Sequence, residues 1–228
     1  EYQLYCKSLY ASIQEFSRDT SRVLKEKSED EYIEQIMTTY PNIEDRTDYD
    51  VISIDPQQSR DFDDAMSIQI KDDNTYVLSI YISNVSLWLD ALGLWESFSE
   101  RIATIYLPDR KRPMLPTCLA DCLCSLIENL CRFAITCDIT VCNNEITNIR
   151  YKNSLIKVRK NFRYEEKDMQ KDSTYITILH KIKLLSRKYK FVRSVKDSHD
   201  LVAYLMILMN YYSAQEMIRY KNGVYRSA

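Results

Sequence analysis

The sequence predicts an α+β protein, a mainly antiparallel sheet with helices packed against it. Three observations lead there. Short apolar segments of strand length recur between residues 51 and 158. Turn-forming clusters, Asp72-Asp73-Asn74 and Asn143-Asn144, join neighbouring segments as hairpins. Helical spacing opens and closes the chain, with one further helical stretch after the third strand.

The elements follow in order. Leu4, Leu9, Ile13, Phe16 and Val23-Leu24 recur at roughly helical spacing, so residues 2–27 read as helix. Ser28-Glu29-Asp30-Glu31 is a capping box that opens a second helix, which Pro41 ends. Charged, turn-prone Asn42 to Tyr49 leads into the first strand. A boundary is expected near residue 45, dividing a helical segment over 1–45 from a larger domain over 46–228. Val51–Asp55 and Ala65–Ile70 read as strands on either side of an acidic loop, and Tyr76–Ser83 as a third. Trp88 to about Ile105 reads mainly as helix. Pro108, Pro113 and Pro116 make Tyr106–Pro116 a constrained loop. Phe133–Val141 and Ile146–Val158 form a second hairpin. The tail is helical, near residues 174–190 and 198–221.

Composition excludes several functions. The net charge of −2 gives the whole chain no electrostatic sign of nucleic-acid binding, so any such site is a local patch. Only Gly93 and Gly223 occur, so no Walker loop, Gly-rich dinucleotide fingerprint or Gly-Xaa-Ser-Xaa-Gly elbow can be written. The seven cysteines form no Cys-Xaa-Xaa-Cys pair, and His180 and His199 lie far from them, which argues against zinc. Cys122, Cys124 and Cys137 read as buried reduced thiols, which points to a cytoplasmic protein. No apolar run is long enough to span a bilayer. The start, Glu1-Tyr2-Gln3-Leu4, is no signal peptide and lacks an initiator Met, as expected of a fragment or processed chain.

The chemistry concentrates in Asp55-Pro56-Gln57-Gln58-Ser59-Arg60-Asp61-Phe62-Asp63-Asp64. Carboxylates this close repel one another unless water solvates them or a hard cation neutralises them. Asp61 and Asp63, one residue apart, point the same way in an extended chain, and Asp64 points to the other side. Pro56 fixes the turn after Asp55. Such a loop can surround one or two Mg²⁺ ions, each taking one or two carboxylates and keeping open positions for a phosphodiester. The implied chemistry is metal-assisted hydrolysis of a phosphate ester. An EF-hand fails, because Met66 stands at its sixth position and Asp72 at its twelfth. A phosphatase of the Asp-Xaa-Asp type would use Asp61 as nucleophile directly after an apolar strand, whereas Gln57-Gln58-Ser59-Arg60 precedes it. The bland alternative is a solvated acidic turn, against which the flanking strands and Pro56 argue.

Ile54-Asp55-Pro56 followed by Asp61-Phe62-Asp63-Asp64-Ala65 resembles the signature of the ribonuclease II catalytic domain, the RNB domain. Further segments match in order. Tyr81-Ile82-Ser83-Asn84-Val85-Ser86 is similar to a strand ending in Ala-Asp-Val-Ser. Ile105 to Pro116 resembles the Tyr-Leu-Pro…Pro-Met-Leu-Pro loop. Leu123-Cys124-Ser125-Leu126 and Arg132 match the stretch that follows, and Asn161-Phe162-Arg163-Tyr164-Glu165-Glu166 resembles the Leu-Thr-Tyr-Asp-Glu segment.

The resemblance implies a Mg²⁺-dependent 3′→5′ exoribonuclease that hydrolyses single-stranded RNA to nucleoside 5′-monophosphates. It implies Asp55 and Asp64 as metal ligands, Asp61 as support for the ion or a bound water, and Asp63 as the catalytic aspartate. Tyr106 would stack on the 3′-terminal base region and Tyr164 would contact the RNA end, with Phe191 a further stacking candidate. Arg110, Lys111 and Arg112, and the run Lys157, Arg159, Lys160 and Arg163, are candidates for phosphate contacts. Lys181, Lys183, Arg187, Lys188 and Lys190 read as the wet face of a helix.

The chain also departs from the pattern. Asn84 stands where the family has Asp, Ile102 where it has Gly, and Ala203-Tyr204 where an acidic pair is expected. The chain ends at Ala228, before a Ser-Pro-Ile-Arg-Arg-Tyr type motif whose arginine grips the substrate phosphate. Two expectations follow: a fragment of a larger enzyme or RNA-decay assembly, or a degenerate, non-catalytic relative that binds RNA or protein.

Overall fold

The computed structural model describes residues 15–99, 104–106, 111–112 and 114–223. Two helices come first, α1 (Glu15–Val23) and α2 (Glu29–Thr39). The capping box at α2 is formed: Ser28 Oγ accepts from Glu31 N while the Glu31 carboxylate accepts from Ser28 N at 2.7 Å. The helix expected over 2–27 is seen as α1, which stops at Val23 where Lys25 N and Glu26 N bond three residues back as turns; residues 2–14 lie outside the described part.

Strands β1 (Glu44–Asp55), β2 (Asp64–Ile70) and β3 (Thr75–Ser83) follow. The helical stretch expected from Trp88 is two short helices, α3 (Val85–Ala91) and α4 (Trp95–Ser99). The break falls at Leu92-Gly93, where Gly93 takes φ +63°, a left-handed conformation that suits glycine. β4 (Ile105–Tyr106) and β5 (Lys111–Arg112) pair briefly, and Cys118–Leu123 form a π-helical turn. β6 (Cys131–Cys142) and β7 (Glu145–Arg163) form a long hairpin, turned by Asn143 and Asn144 at φ +52° and +58°. α5 (Ser173–Lys188) and α6 (Ser198–Arg219) close the fold.

The five long strands run in the order β1-β2-β3-β6-β7 and close into a barrel. Each neighbouring pair is antiparallel except the closing seam, where β7 runs parallel to β1. The sheet is thus mainly antiparallel as expected. Period-two alternation then divides the side chains. One set faces outward: Ile52, Ile54, Met66, Leu78, Ile80, Cys137 and Ile139 pack under Ile178, Ile182 and Leu185 of α5 and Leu201, Leu205 and Leu208 of α6. On another outer side, Phe133 and Leu155 pack with Phe16, Ile36, Trp88 and Leu119. The alternate set, Val51, Ala65, Tyr81, Ala134, Ile156 and Val158, turns inward, where Phe62 and Leu126 join it.

The charged lead-in expected before Val51 is strand from Glu44. Its one arginine is buried and matched, while Asp45 and Asp48 are exposed. Arg46, 2% exposed, grips Asp138 through Nη1 at 2.8 Å and Nη2 at 2.6 Å, and Arg150 reaches the same carboxylate at 2.7 Å. Cys124 and Cys137 are buried as expected, but Cys122 is exposed, because the π-helical turn carries it outward while Leu119 and Leu123 face the core. No helix among the described residues is long and apolar enough to cross a membrane.

Candidate metal and RNA site at one end of the barrel

The topology gathers the acidic segment at one barrel end. β1 finishes at Asp55 and β2 starts at Asp64, so an antiparallel pair holds both ends of the loop together. β7 finishes at Arg163, whose paired residue on β1 is Asp55. Tyr164 N donates to Asp55 O at 3.1 Å, which carries the chain across the strand end. Glu165, at φ +63°, then turns it back, and Glu166 Oε2 accepts from Arg163 N at 2.9 Å.

The loop itself is tied down through its backbone. Phe62 N donates to Ser125 Oγ at 2.9 Å, Leu126 N to Phe62 O at 2.8 Å, and Ser83 N to Asp63 O at 2.9 Å. Ser83 Oγ donates to Cys124 O at 2.5 Å. The Phe62 ring is the buried anchor, so Asp61 and Asp63 on either side of it are exposed. This is the alternation expected of them.

Asp55 is 7% exposed and accepts a hydrogen bond from Ser53 Oγ at 2.8 Å. Asn161 Nδ2 donates to Ser53 Oγ at 2.8 Å, and Asn161 Oδ1 accepts from Glu128 N at 2.7 Å. Burial pushes the Asp55 carboxyl up to about 6; Ser53 and Arg163 pull it down, and Asp63 and Asp61 push it up. Burial, then the charges of Asp55 and Asp63, raise Asp64 to about 7. Asp64 Oδ2 is buried with no hydrogen-bond partner among the described residues. A buried carboxylate oxygen in that state, beside other carboxylates, is what a hard cation relieves. Among the described residues no three His, Cys, Asp or Glu side chains stand ready as a cation site. The donor set fits an ion held by the Asp55–Asp64 pair and completed by water or substrate oxygens, the usual habit of Mg²⁺.

Tyr164 also belongs to this end. Burial, then the charges of Asp64 and Asp55, raise its phenol to about 12. One face of its ring is stacked on His199, in the first turn of α6, with centroids 3.8 Å apart and planes at 8°. The Arg163 guanidinium lies 5.0 Å from the Phe62 ring centroid, and its Nη1 donates to Pro56 O at 3.0 Å.

The other expected residues are placed as follows. Tyr106 and Arg112 lie on the small β4–β5 ladder, where only their backbone is described, and Arg110 lies outside the described residues. Arg159 is ion-paired with Asp50 and Asp172, and Lys160 with Glu128 at 3.3 Å, so both are committed within the fold. Phe191 packs on Tyr204 and Tyr211. Asn84 is buried, caps α3 and donates to Asn153 Oδ1 at 3.0 Å. Tyr204 is in the core, donating to Tyr189 O at 3.0 Å.

Sequence reasoning missed Ser53, Asn161 and His199. Ser53 had a signal, being two residues before Asp55 on the same strand face. Asn161 is its partner on β7, and that register is not written locally. His199 comes from a helix distant in sequence.

A closed barrel bearing a carboxylate cluster at the end where its first strand stops defines a class of protein, and comparison with known proteins supplies the family. The RNB domain matches residues 43–174, and the chain belongs to that family. Ribonuclease R of Chlamydia trachomatis is 32% identical over 157 residues, covering 66% of this chain and 22% of that protein. Exoribonuclease 2 of Vibrio cholerae is 38% identical over 99 residues, covering 43% of this chain and 15% of its own length. The chain therefore spans less than a quarter of the length of these relatives, one a ribonuclease and the other an exoribonuclease by name. Mycoplasma genitalium RNase R, solved in complex with double-stranded RNA, shares the fold with a TM-score of 0.64 at 20% identity, over 80% of this chain and 39% of that one.

Proposed function

We propose that this chain carries the metal-binding part of a Mg²⁺-dependent 3′→5′ exoribonuclease that releases nucleoside 5′-monophosphates from single-stranded RNA. The observation that carries the reading is the meeting of Asp55, Asp61, Asp63 and Asp64 at one barrel end, with Asp64 Oδ2 buried and unpartnered among the described residues. The RNA complexes of the RNase R neighbours support RNA as the ligand.

In this reading Asp55 and Asp64 hold the ion, and Asp61 supports it or a bound water. When bound, Mg²⁺ supplies electrophilic polarisation of the phosphodiester. Ser53 orients the Asp55 carboxylate, and Asn161 orients Ser53. Asp63, exposed on the same loop, is the catalytic carboxylate and takes a proton from the attacking water. Tyr164 keeps its proton through neutral pH and contacts the RNA end as a hydrogen-bond donor. Tyr106 stacks on the 3′-terminal base region, and Arg110 and Arg112 contact phosphates. A cytoplasmic location, and work together with further chain or a larger RNA-decay assembly, complete the reading.

The lack of a ready three-ligand group among the described residues favours a second reading, a non-catalytic relative that binds RNA or protein. One experiment separates the two. Linear single-stranded RNA and the same sequence closed into a circle are incubated with the protein and Mg²⁺. The first reading expects monophosphates from the linear RNA and an intact circle. Metal-independent binding of both with no turnover supports the second, and cutting of the circle refutes the exonucleolytic mode.

A further inference from the structure

Arg163 ends β7 beside the aspartate loop. Its guanidinium lies in the angle between the two arms of the aspartate loop. On the outgoing arm it meets Pro56 O at 3.0 Å, and on the returning arm it lies 5.0 Å from the centre of the Phe62 ring, between Asp61 and Asp63 in sequence. The Arg163 backbone is paired with that of Asp55 across the seam. A guanidinium has five N–H donors, and the bond to Pro56 uses one of them.

Other arginines of the barrel are committed differently. Arg46 and Arg150 share Asp138 and Glu44, Arg159 joins Asp50 and Asp172, and Arg132 joins Glu29. Arg163 contacts instead a carbonyl and an aromatic face, which hold a planar group without neutralising it.

We propose that Arg163 binds a backbone phosphate of the RNA entering the aspartate site. A planar fork suits two phosphate oxygens, and a fixed cation offsets the repulsion between an anionic substrate and the carboxylates beside it. This inference rests on the RNA-binding part of the proposed function and names the residue that receives the phosphate.

The test uses the whole chain, a short 5′-fluorescein oligouridylate, and Ca²⁺ in place of Mg²⁺, with anisotropy followed at several salt concentrations. Arg163→Gln is expected to weaken binding about tenfold and to flatten the slope of log K against log salt by about 0.7, the value for one phosphate contact on a single strand. Arg163→Lys is expected to restore the slope but only part of the affinity, because a point charge replaces the fork. Melting temperatures measured alongside separate a mere loop clamp, which would lower stability equally in both variants and leave the slope unchanged; that pattern overturns the inference. So does wild-type affinity and slope in Arg163→Gln. A wild-type chain that binds no RNA at all overturns both this inference and the proposed function, whereas one that binds normally whatever stands at residue 163 overturns only the inference.

Discussion

Asp55 and Arg163 are paired residues on the parallel seam where β7 closes the barrel against β1. One residue further on, Tyr164 donates its backbone N–H to the Asp55 carbonyl. The acidic loop and the Arg163-Tyr164 segment are therefore fixed to each other by the sheet, and the site depends on barrel closure rather than on loop order alone.

Ser53 is the first place where this arrangement is testable. Its hydroxyl donates to Asp55 and lowers that carboxyl against the effect of burial. Ser53→Ala is expected to weaken Mg²⁺ binding about tenfold or more, the usual loss when the group orienting a metal ligand is removed. Isothermal titration calorimetry at pH 7 measures it, and an unchanged affinity would show that Asp55 needs no such support.

Metal binding should also appear as stability. Asp64 carries a buried oxygen without a hydrogen-bond partner among the described residues, and Asp55 and Asp63 both push its carboxyl up. An ion that binds the folded chain alone raises its melting temperature with concentration. Mg²⁺ is expected to do so for the wild type. Asp64→Asn removes one repelling charge, so the metal-free variant is expected to melt no lower than the wild type, and Mg²⁺ to leave it unmoved. Differential scanning fluorimetry with and without Mg²⁺ decides the point.

At the other end of the barrel, Asp138 makes a prediction about pH. Burial pushes its carboxyl up, but hydrogen bonds from Arg46, Ser79 and Arg150 outweigh this and hold it below 3.8. A group whose folded pKa is depressed stabilises the fold above its unfolded pKa, and that contribution is lost as pH falls through the folded pKa. Asp138→Asn leaves the 2%-exposed Arg46 without its buried partner and is expected to cost about 3–5 kcal/mol at pH 7. In urea titrations the gap between wild type and variant should hold from pH 7 to about pH 5, then shrink below about pH 4. A gap independent of pH down to pH 2 would contradict the assignment.

Local signals account for what was legible beforehand. The Ser28–Glu31 box and the Asn143-Asn144 turn are written within four residues, and both formed. The aspartate loop was legible as a cluster, because Pro56 and the strands beside it are adjacent in sequence. What was not legible is carried by distant pairs. The start of β1 reads as a charged, turn-prone lead-in because the partner of Arg46 is Asp138, on β6. The parallel seam depends on a register between strands a hundred residues apart, and with it go Asn161 on Ser53 and Arg163 over Phe62. The helix expected after Trp88 ran through Gly93 because its apolar spacing outweighed one glycine, whereas in the fold that glycine ends α3. His199 facing Tyr164 is a contact between a strand end and a helix start that no local pattern encodes.

His199 and Tyr164 yield a further expectation. Parallel stacked rings contribute about 0.5–1.5 kcal/mol beyond their buried area. His199→Ala is expected to lower stability by about that amount, and His199→Phe to retain it. Equal losses in the two variants would show that stacking is not what His199 contributes.

In the proposed function the carboxylates at the end of β1 form an RNA-hydrolysing metal centre with Asp63 as its catalytic member. The most direct measurement is release of nucleoside 5′-monophosphate from the 3′ end of a labelled single-stranded RNA, by the wild type and by Asp63→Asn, with and without Mg²⁺, in the longest form of the protein that folds. The account predicts Mg²⁺-dependent release by the wild type and a loss of at least about a hundredfold in the variant, the scale of a missing acid–base group. Release by Asp63→Asn at the wild-type rate, or none by the wild type at any Mg²⁺ concentration, would contradict it.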